Sequence, residues 1–206
     1  NQTVIGFNAT GQGDDSVTLG NGSVTDVYMS SDKDAKVHCG GIQFPGTFVS
    51  NAGANVLDEY EEGTWTPVVK DAQGTPNAAG MAGATGFYTR IGNLVNVGFA
   101  CLINSVSGMT STDNVTIHGL PFTVDNNAHG GGEPYGGIIT FMSELDSVDY
   151  GGMIYCRANN NTTSFELKYT AGGAVTAIGG SSFLVSQFDA GADSYMTGSC
   201  TYKIDH

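Results

Sequence analysis

Two stretches of this 206-residue chain carry side chains whose types and spacing can do chemistry. The first is Asp58-Glu59-Tyr60-Glu61-Glu62-Gly63-Thr64-Trp65-Thr66-Pro67, the densest carboxylate run and the home of the single tryptophan. A pair of carboxylates flanking a sugar supplies the acid and base of a glycosidase. A cluster of carboxylate oxygens also attracts divalent cations. Both uses need a shaped cleft or cage, and a short linker supplies neither. The stretch is therefore read as a structural junction, with Tyr60 and Trp65 packing and the carboxylates left in water.

The second stretch is the loop Asp125-Asn126-Asn127-Ala128-His129-Gly130-Gly131-Gly132-Glu133-Pro134-Tyr135-Gly136. It combines an aromatic ring, an imidazole and two carboxylates on a Gly-rich backbone. Sugars are recognised by ring faces and planar polar groups, so these types fit a glycan. Asp125, Asn127, His129, Glu133 and Tyr135 are the first candidates for receptor binding. Asn160 and Tyr195, each in a turn-rich segment, are the second.

Other chemistries find no pattern. His38, His118, His129 and His206 are scattered, without H-x-H or H-E-x-x-H spacing. Cys39, Cys101, Cys156 and Cys200 form no C-x-x-C pair and read as free buried thiols. No Ser lies in G-x-S-x-G, and no G-x-G-x-x-G opens a helix. The expectation is no catalytic residue, no metal, no cofactor and no enzymatic activity.

The elements that would position these candidates are β-strands. Gly makes up 31 residues and only 13% are charged, with Asn, Ser and Thr filling much of the rest. Gly86 to Phe99 reads as a hairpin turning at Gly92-Asn93, with apolar residues alternating on either side. Val115 to Phe122 is a strand stopped by Gly119 and Pro121. Residues 137–142, 152–157, 164–169 and 194–204 are further strands, and Phe183-Leu184-Val185 is a short candidate. No apolar stripe recurs at helical spacing. The expected class is all-β: a short β-roll or β-repeat shaft followed by a jelly-roll-like β-sandwich tip. The boundaries are 1–40 for the shaft, 41–66 for a connector and 67–206 for the sandwich.

The shaft reading rests on a repeat. Ile5-Gly6 aligns with Leu19-Gly20, and Ala9 with Ser23, fourteen residues on in each case. Each unit is a short apolar strand, a Gly turn and a small residue. A unit this short cannot bury its own apolar face, so it must stack on neighbours or on other chains.

The net charge of −13, with seven Lys and Arg, argues against nucleic-acid partners. No apolar run is long enough to span a bilayer, so no membrane insertion is expected. Neutral-polar loops favour uncharged or mixed glycans. Binding a strongly anionic glycan would require a local basic patch.

Leu57 to Pro67 resembles the segment that precedes the terminal domain of bacteriophage tail-fibre and tail-spike proteins. Tyr88-Thr89-Arg90-Ile91-Gly92-Asn93-Leu94-Val95 resembles the first hairpin of that domain. Ile117-His118-Gly119-Leu120-Pro121-Phe122 resembles its next strand and stop. The repeat at the start resembles the β-roll heads of trimeric adhesins. The resemblance covers about residues 1–124. It implies a homotrimeric fibre tip in a virion, assembled in the host cytoplasm. Such a tip is joined to the rest of the fibre and adheres to a bacterial surface polysaccharide or outer-membrane receptor. It carries over no catalytic or binding residues. The alternatives are a fragment of a trimeric capsule or O-antigen depolymerase, and the head of a bacterial trimeric adhesin.

Overall fold

Alternation of apolar and polar residues dictates strands with one face buried, and the computed structural model places them so. It describes residues 1–32, 34–43, 59–126, 135–145, 153–170, 180–189 and 193–205. Two units separate, Asn1–Gln43 and Phe44–His206.

In the first unit, β1 (Thr3–Ile5) and β2 (Val17–Leu19) pair in parallel. Their register is Thr3 to Val17, Val4 to Thr18 and Ile5 to Leu19. The fourteen-residue repeat is thus the stacking register itself. Equivalent positions also meet outside the strands, where Asn21 Nδ2 donates to the Phe7 carbonyl at 2.8 Å. Ile5, Phe7, Val17 and Leu19 stay exposed, Phe7 at 85%. Val27-Tyr28-Met29 is not in strand conformation.

The second unit holds β3 (Tyr60–Trp65), β4 (Val68–Asp71), β5 (Gly80–Ile91), β6 (Leu94–Ser105), β7 (Val115–His118) and β8 (Gly136–Met142). It continues with β9 (Ile154–Ala158), β10 (Ser164–Tyr169), β11 (Ser181–Ser182) and β12 (Ser194–Lys203). A 3-10 turn at Val185–Gln187 takes the place of part of the expected strand at 183–185. The all-β expectation is borne out. The sheet is one antiparallel ribbon in the order β3-β5-β6-β12-β8-β9-β10-β7-β4, with β11 on β10. It curls so that β4 returns beside β5 and β6. The inner face buries Val69, Val97, Phe99, Ile117, Phe165, Leu167, Met196 and Tyr202.

The β5–β6 hairpin turns at Gly92, whose φ of 57° suits a residue without Cβ. One inner row explains much of the packing at this edge. Trp65, Gly86, Phe99 and Gly198 lie side by side on β3, β5, β6 and β12. The glycines leave room for the rings between them: a Cβ on Gly86 would overlap the Trp65 indole, and one on Gly198 would sit 2.8 Å from Phe99. The indole Nε1 donates to the Gly98 carbonyl at 3.2 Å.

Cys101, Cys156 and Cys200 are buried free thiols and Cys39 is exposed. Burial pushes the Cys101 thiol up to about 12, leaving it protonated and inert.

Candidate functional site

From Tyr60 to Trp65 the acidic run forms the edge strand β3, and its described carboxylates, Glu59, Glu61 and Glu62, are engaged; Asp58 lies outside the described residues. Glu59 is buried and ion-paired to Arg90, whose guanidinium lies 5.0 Å over the Phe122 ring. Glu61 accepts the Tyr88 hydroxyl and Glu62 that of Tyr60. The hydrogen bond to Glu61, with burial, pushes the Tyr88 phenol up to about 12. Trp65 is 7% exposed, whereas Tyr60 remains 44% exposed. Burial falls on Glu59 instead, because a tethered arginine is available to it.

Of the loop candidates, Asn127, His129 and Glu133 lie outside the described residues. Asp125 and Tyr135 bracket the loop and hold each other, the Tyr135 hydroxyl donating to Asp125 Oδ2 at 2.9 Å. Asp125 is buried, and its amide donates to the Lys203 carbonyl at 2.9 Å. Burial and the hydrogen bond to Asp125 raise the Tyr135 phenol. This pair closes the base of the loop. Asn160 is half-buried in the turn after β9, next to Asn161, which has a positive φ of 56°.

Tyr195 faces solvent, 41% exposed, on the outer face of β12. Its ring lies 6.0 Å from that of Phe141 on β8, itself 54% exposed. Sequence reasoning missed Phe141, and a local irregularity accounts for its position. The β12–β8 register jumps between Thr197 and Gly198, so Thr140 is an extra residue between Ile139 and Phe141. A bulge of this kind re-aims side chains. It leaves Thr140 and Phe141 both exposed, with the Thr140 and Thr197 hydroxyls 2.9 Å apart. Ser143 Oγ accepts the Tyr195 amide at 3.2 Å, and Glu144 follows in a left-handed conformation with φ 55°. The one available signal was the run Ile138-Ile139-Thr140-Phe141-Met142, whose apolar residues fall on both parities.

Two adjacent aromatic rings, two paired hydroxyls and an exposed carboxylate on an open sheet form a shallow platform. It suits a flat, hydroxyl-rich ligand that stacks and hydrogen-bonds. Among the described residues, no group of His, Cys, Asp and Glu is arranged to hold a metal ion. No described helix is long and apolar enough to cross a membrane.

No protein-family model and no curated protein matches the sequence. Among solved structures, the chain is similar to the crystal structure of the Dettilon tailspike protein (gp208), at 17% identity and a TM-score of 0.49. The match covers 68% of this chain and 23% of the tailspike. It corrects one expectation, that the chain is not an enzyme. The matched protein is a tailspike, the kind of protein behind the depolymerase alternative, so the exclusion of catalysis is withdrawn.

Proposed function

We propose that this chain is a receptor-engaging region of a phage tail protein and that it binds a bacterial surface polysaccharide. The observation that carries the binding role is the solvent-facing Phe141–Tyr195 pair beside the Thr140–Thr197 hydroxyls. The phage tail context is supported by the junction at Leu57 to Pro67 and by the hairpin at Tyr88 to Val95. The reading concerns binding alone and holds whether or not the bound polymer is then cut.

Association into a homotrimer belongs to the same proposal. Ile5, Phe7, Val17 and Leu19 are exposed in the repeat unit, and Phe87, Ile91 and Leu94 on the outer sheet face. Further copies of the chain would cover apolar surface that a monomer leaves in water. Three copies of a weak site then raise avidity without any new contact. The chain, and the shaft, connector and tip read along it, would belong to a virion.

The test is binding of the fluorescently labelled chain to intact bacteria, competed with surface polysaccharide stripped from the same cells. Competition is the expected result. Binding that the polysaccharide leaves untouched, but that proteolysis of the cell surface abolishes, would identify a protein receptor and refute the proposal.

A further inference from the structure

The outer face of β12 carries a line of hydroxyls that continues from the aromatic pair. Tyr195, Thr197, Ser199 and Thr201 alternate with the buried Met196, Gly198, Cys200 and Tyr202, so all four point outward. The strand is flanked by β6 and β8. On β6 the register sets Ala100 opposite Thr197, Gly98 opposite Ser199 and Asn96 opposite Thr201. On β8 it sets Ile138 opposite Ser199 and Gly136 opposite Thr201. None of these residues carries a charge. Charged residues follow beyond the ends: Glu144 past the rings and, past Thr201, Lys203 on β12 and Arg157 opposite Gly136 on β9.

Two matched pairs of polar groups lie on this floor. Beside the rings are the Thr140 and Thr197 hydroxyls. Toward the other end, the side-chain amide of the exposed Asn96 donates to Thr201 Oγ1 at 2.8 Å. The Thr201 O–H can still donate to a ligand, and Asn96 Oδ1 can accept from one. Thr197 and Thr201 are about 13 Å apart along an extended strand, and Tyr195 and Thr201 about 20 Å.

The sides of the floor are raised. Ile138, 47% exposed, stands on β8. Across from it the Phe87 ring lies over Gly98, where a Cβ would come within 2.3 Å of the ring. Gly98 and Ile138 flank Ser199 from the two adjacent strands, which sets them about 10 Å apart, two inter-strand spacings. A single sugar ring fits that width but cannot reach from Tyr195 to Thr201. An extended run of several sugars can. Hydroxyls, an amide and ring faces on an uncharged floor complement uncharged sugars.

We propose that the outer face of β12 is a track for a segment of uncharged polysaccharide several sugars long, running from the Phe141–Tyr195 rings to a second subsite at Asn96 and Thr201. The inference rests on the reading of the chain as a polysaccharide binder, and it specifies the ligand's charge class, its length and the path it takes.

The test uses the full chain and oligosaccharides of graded length, released by partial acid hydrolysis from the surface polysaccharide of a bacterium the chain binds. Calorimetry should show affinity rising about tenfold from the shortest fragment that binds to fragments of several sugars, as hydrogen bonds beyond the rings are added. Asn96→Ala and Thr201→Val should each weaken the long fragments several-fold and leave the shortest unchanged. Thr64→Val, an exposed control on the outer face of β3, should change neither. Added salt should leave all affinities unchanged. Should Thr201→Val fail to fold, the exposed Asn96→Ala carries the test. Equal affinity at every length would overturn the inference. So would a length effect that the Asn96 and Thr201 variants leave intact, because bridging between copies of the chain would then explain it. Loss of binding in modest salt would overturn the uncharged ligand class. If Phe141→Ala and Tyr195→Ala weaken binding while length has no effect, the track falls and polysaccharide binding stands. If no fragment binds and the intact polysaccharide fails to compete for cells, the broader reading falls, and the track with it.

Discussion

Trp65 and Phe99 face each other across Gly86, ring centroids 6.2 Å apart and planes at 67°. The glycine between them is what lets two rings from non-adjacent strands meet edge to face. Trp65→Ala should therefore cost about 3–5 kcal/mol, as for other large buried rings. Gly86→Ala should cost about 1–3 kcal/mol by forcing the indole aside. Because the added methyl clashes with the ring that Trp65→Ala removes, the double variant should be less destabilised than the sum of the two. Denaturant unfolding of the four proteins measures this coupling, and strict additivity would contradict the packing described.

Asp71 predicts an acid-sensitive step. Its buried carboxylate accepts the amides of Thr110 at 2.9 Å and Asn77 at 2.6 Å, and the Asn77 side chain at 3.1 Å. Burial alone would raise its pKa, but these donors outweigh it and hold the carboxyl below its ordinary 3.8. The contribution is present above pH 3.8 and is lost as pH falls from there through the lower folded value. Asp71→Asn should lose about 2 kcal/mol at neutral pH, since charge-assisted bonds are forfeited. The gap to the parent should close in unfolding curves taken below pH 4.

His118 adds a second window. Burial first, and then the Lys70 charge, lower its pKa below 6.5, so the folded protein prefers the neutral ring. Its contribution to stability is present above pH 6.5 and lost as pH falls through the folded value. His118→Gln should flatten that part of the pH–stability curve. The check is melting temperature from pH 7.5 to 5 for parent and variant.

The repeat unit predicts assembly. Ile5→Asp or Leu19→Asp would set a carboxylate on the surface left exposed by the β1–β2 pair. Sedimentation should show the parent as a trimer and these variants shifted toward monomer. The second unit should keep its strand signal in circular dichroism.

Much of the β architecture was legible because alternation and turn residues act locally. The Gly92-Asn93 hairpin, and the strands at 115–118, 164–169 and 194–203, follow from period-two patterning. The Ile5–Leu19 register follows from the fourteen-residue repeat. What was not legible is non-local. Nothing near Ser194 indicates that β12 runs between β6 and β8. The bulge at Thr140 depends on the partner strand, so the Phe141–Tyr195 pair stayed hidden although Tyr195 was a candidate. Asp125 looked like a loop ligand because its burial depends on Tyr135 and Lys203, one of them far along the chain. Asn96 and Thr201 are unremarkable in sequence, 105 residues apart, and meet only when β6 and β12 pair.

The central claim is that the exposed aromatic pair on β8 and β12 binds surface polysaccharide. The most direct measurement is titration calorimetry of the parent, Tyr195→Ala, Phe141→Ala and the double variant with purified polysaccharide from the bound bacterium. Each ring is expected to contribute about 1–3 kcal/mol by analogy with other stacking contacts, so each single variant should weaken binding by roughly tenfold or more, with unfolding curves little changed. Undiminished affinity in a folded double variant would contradict the account.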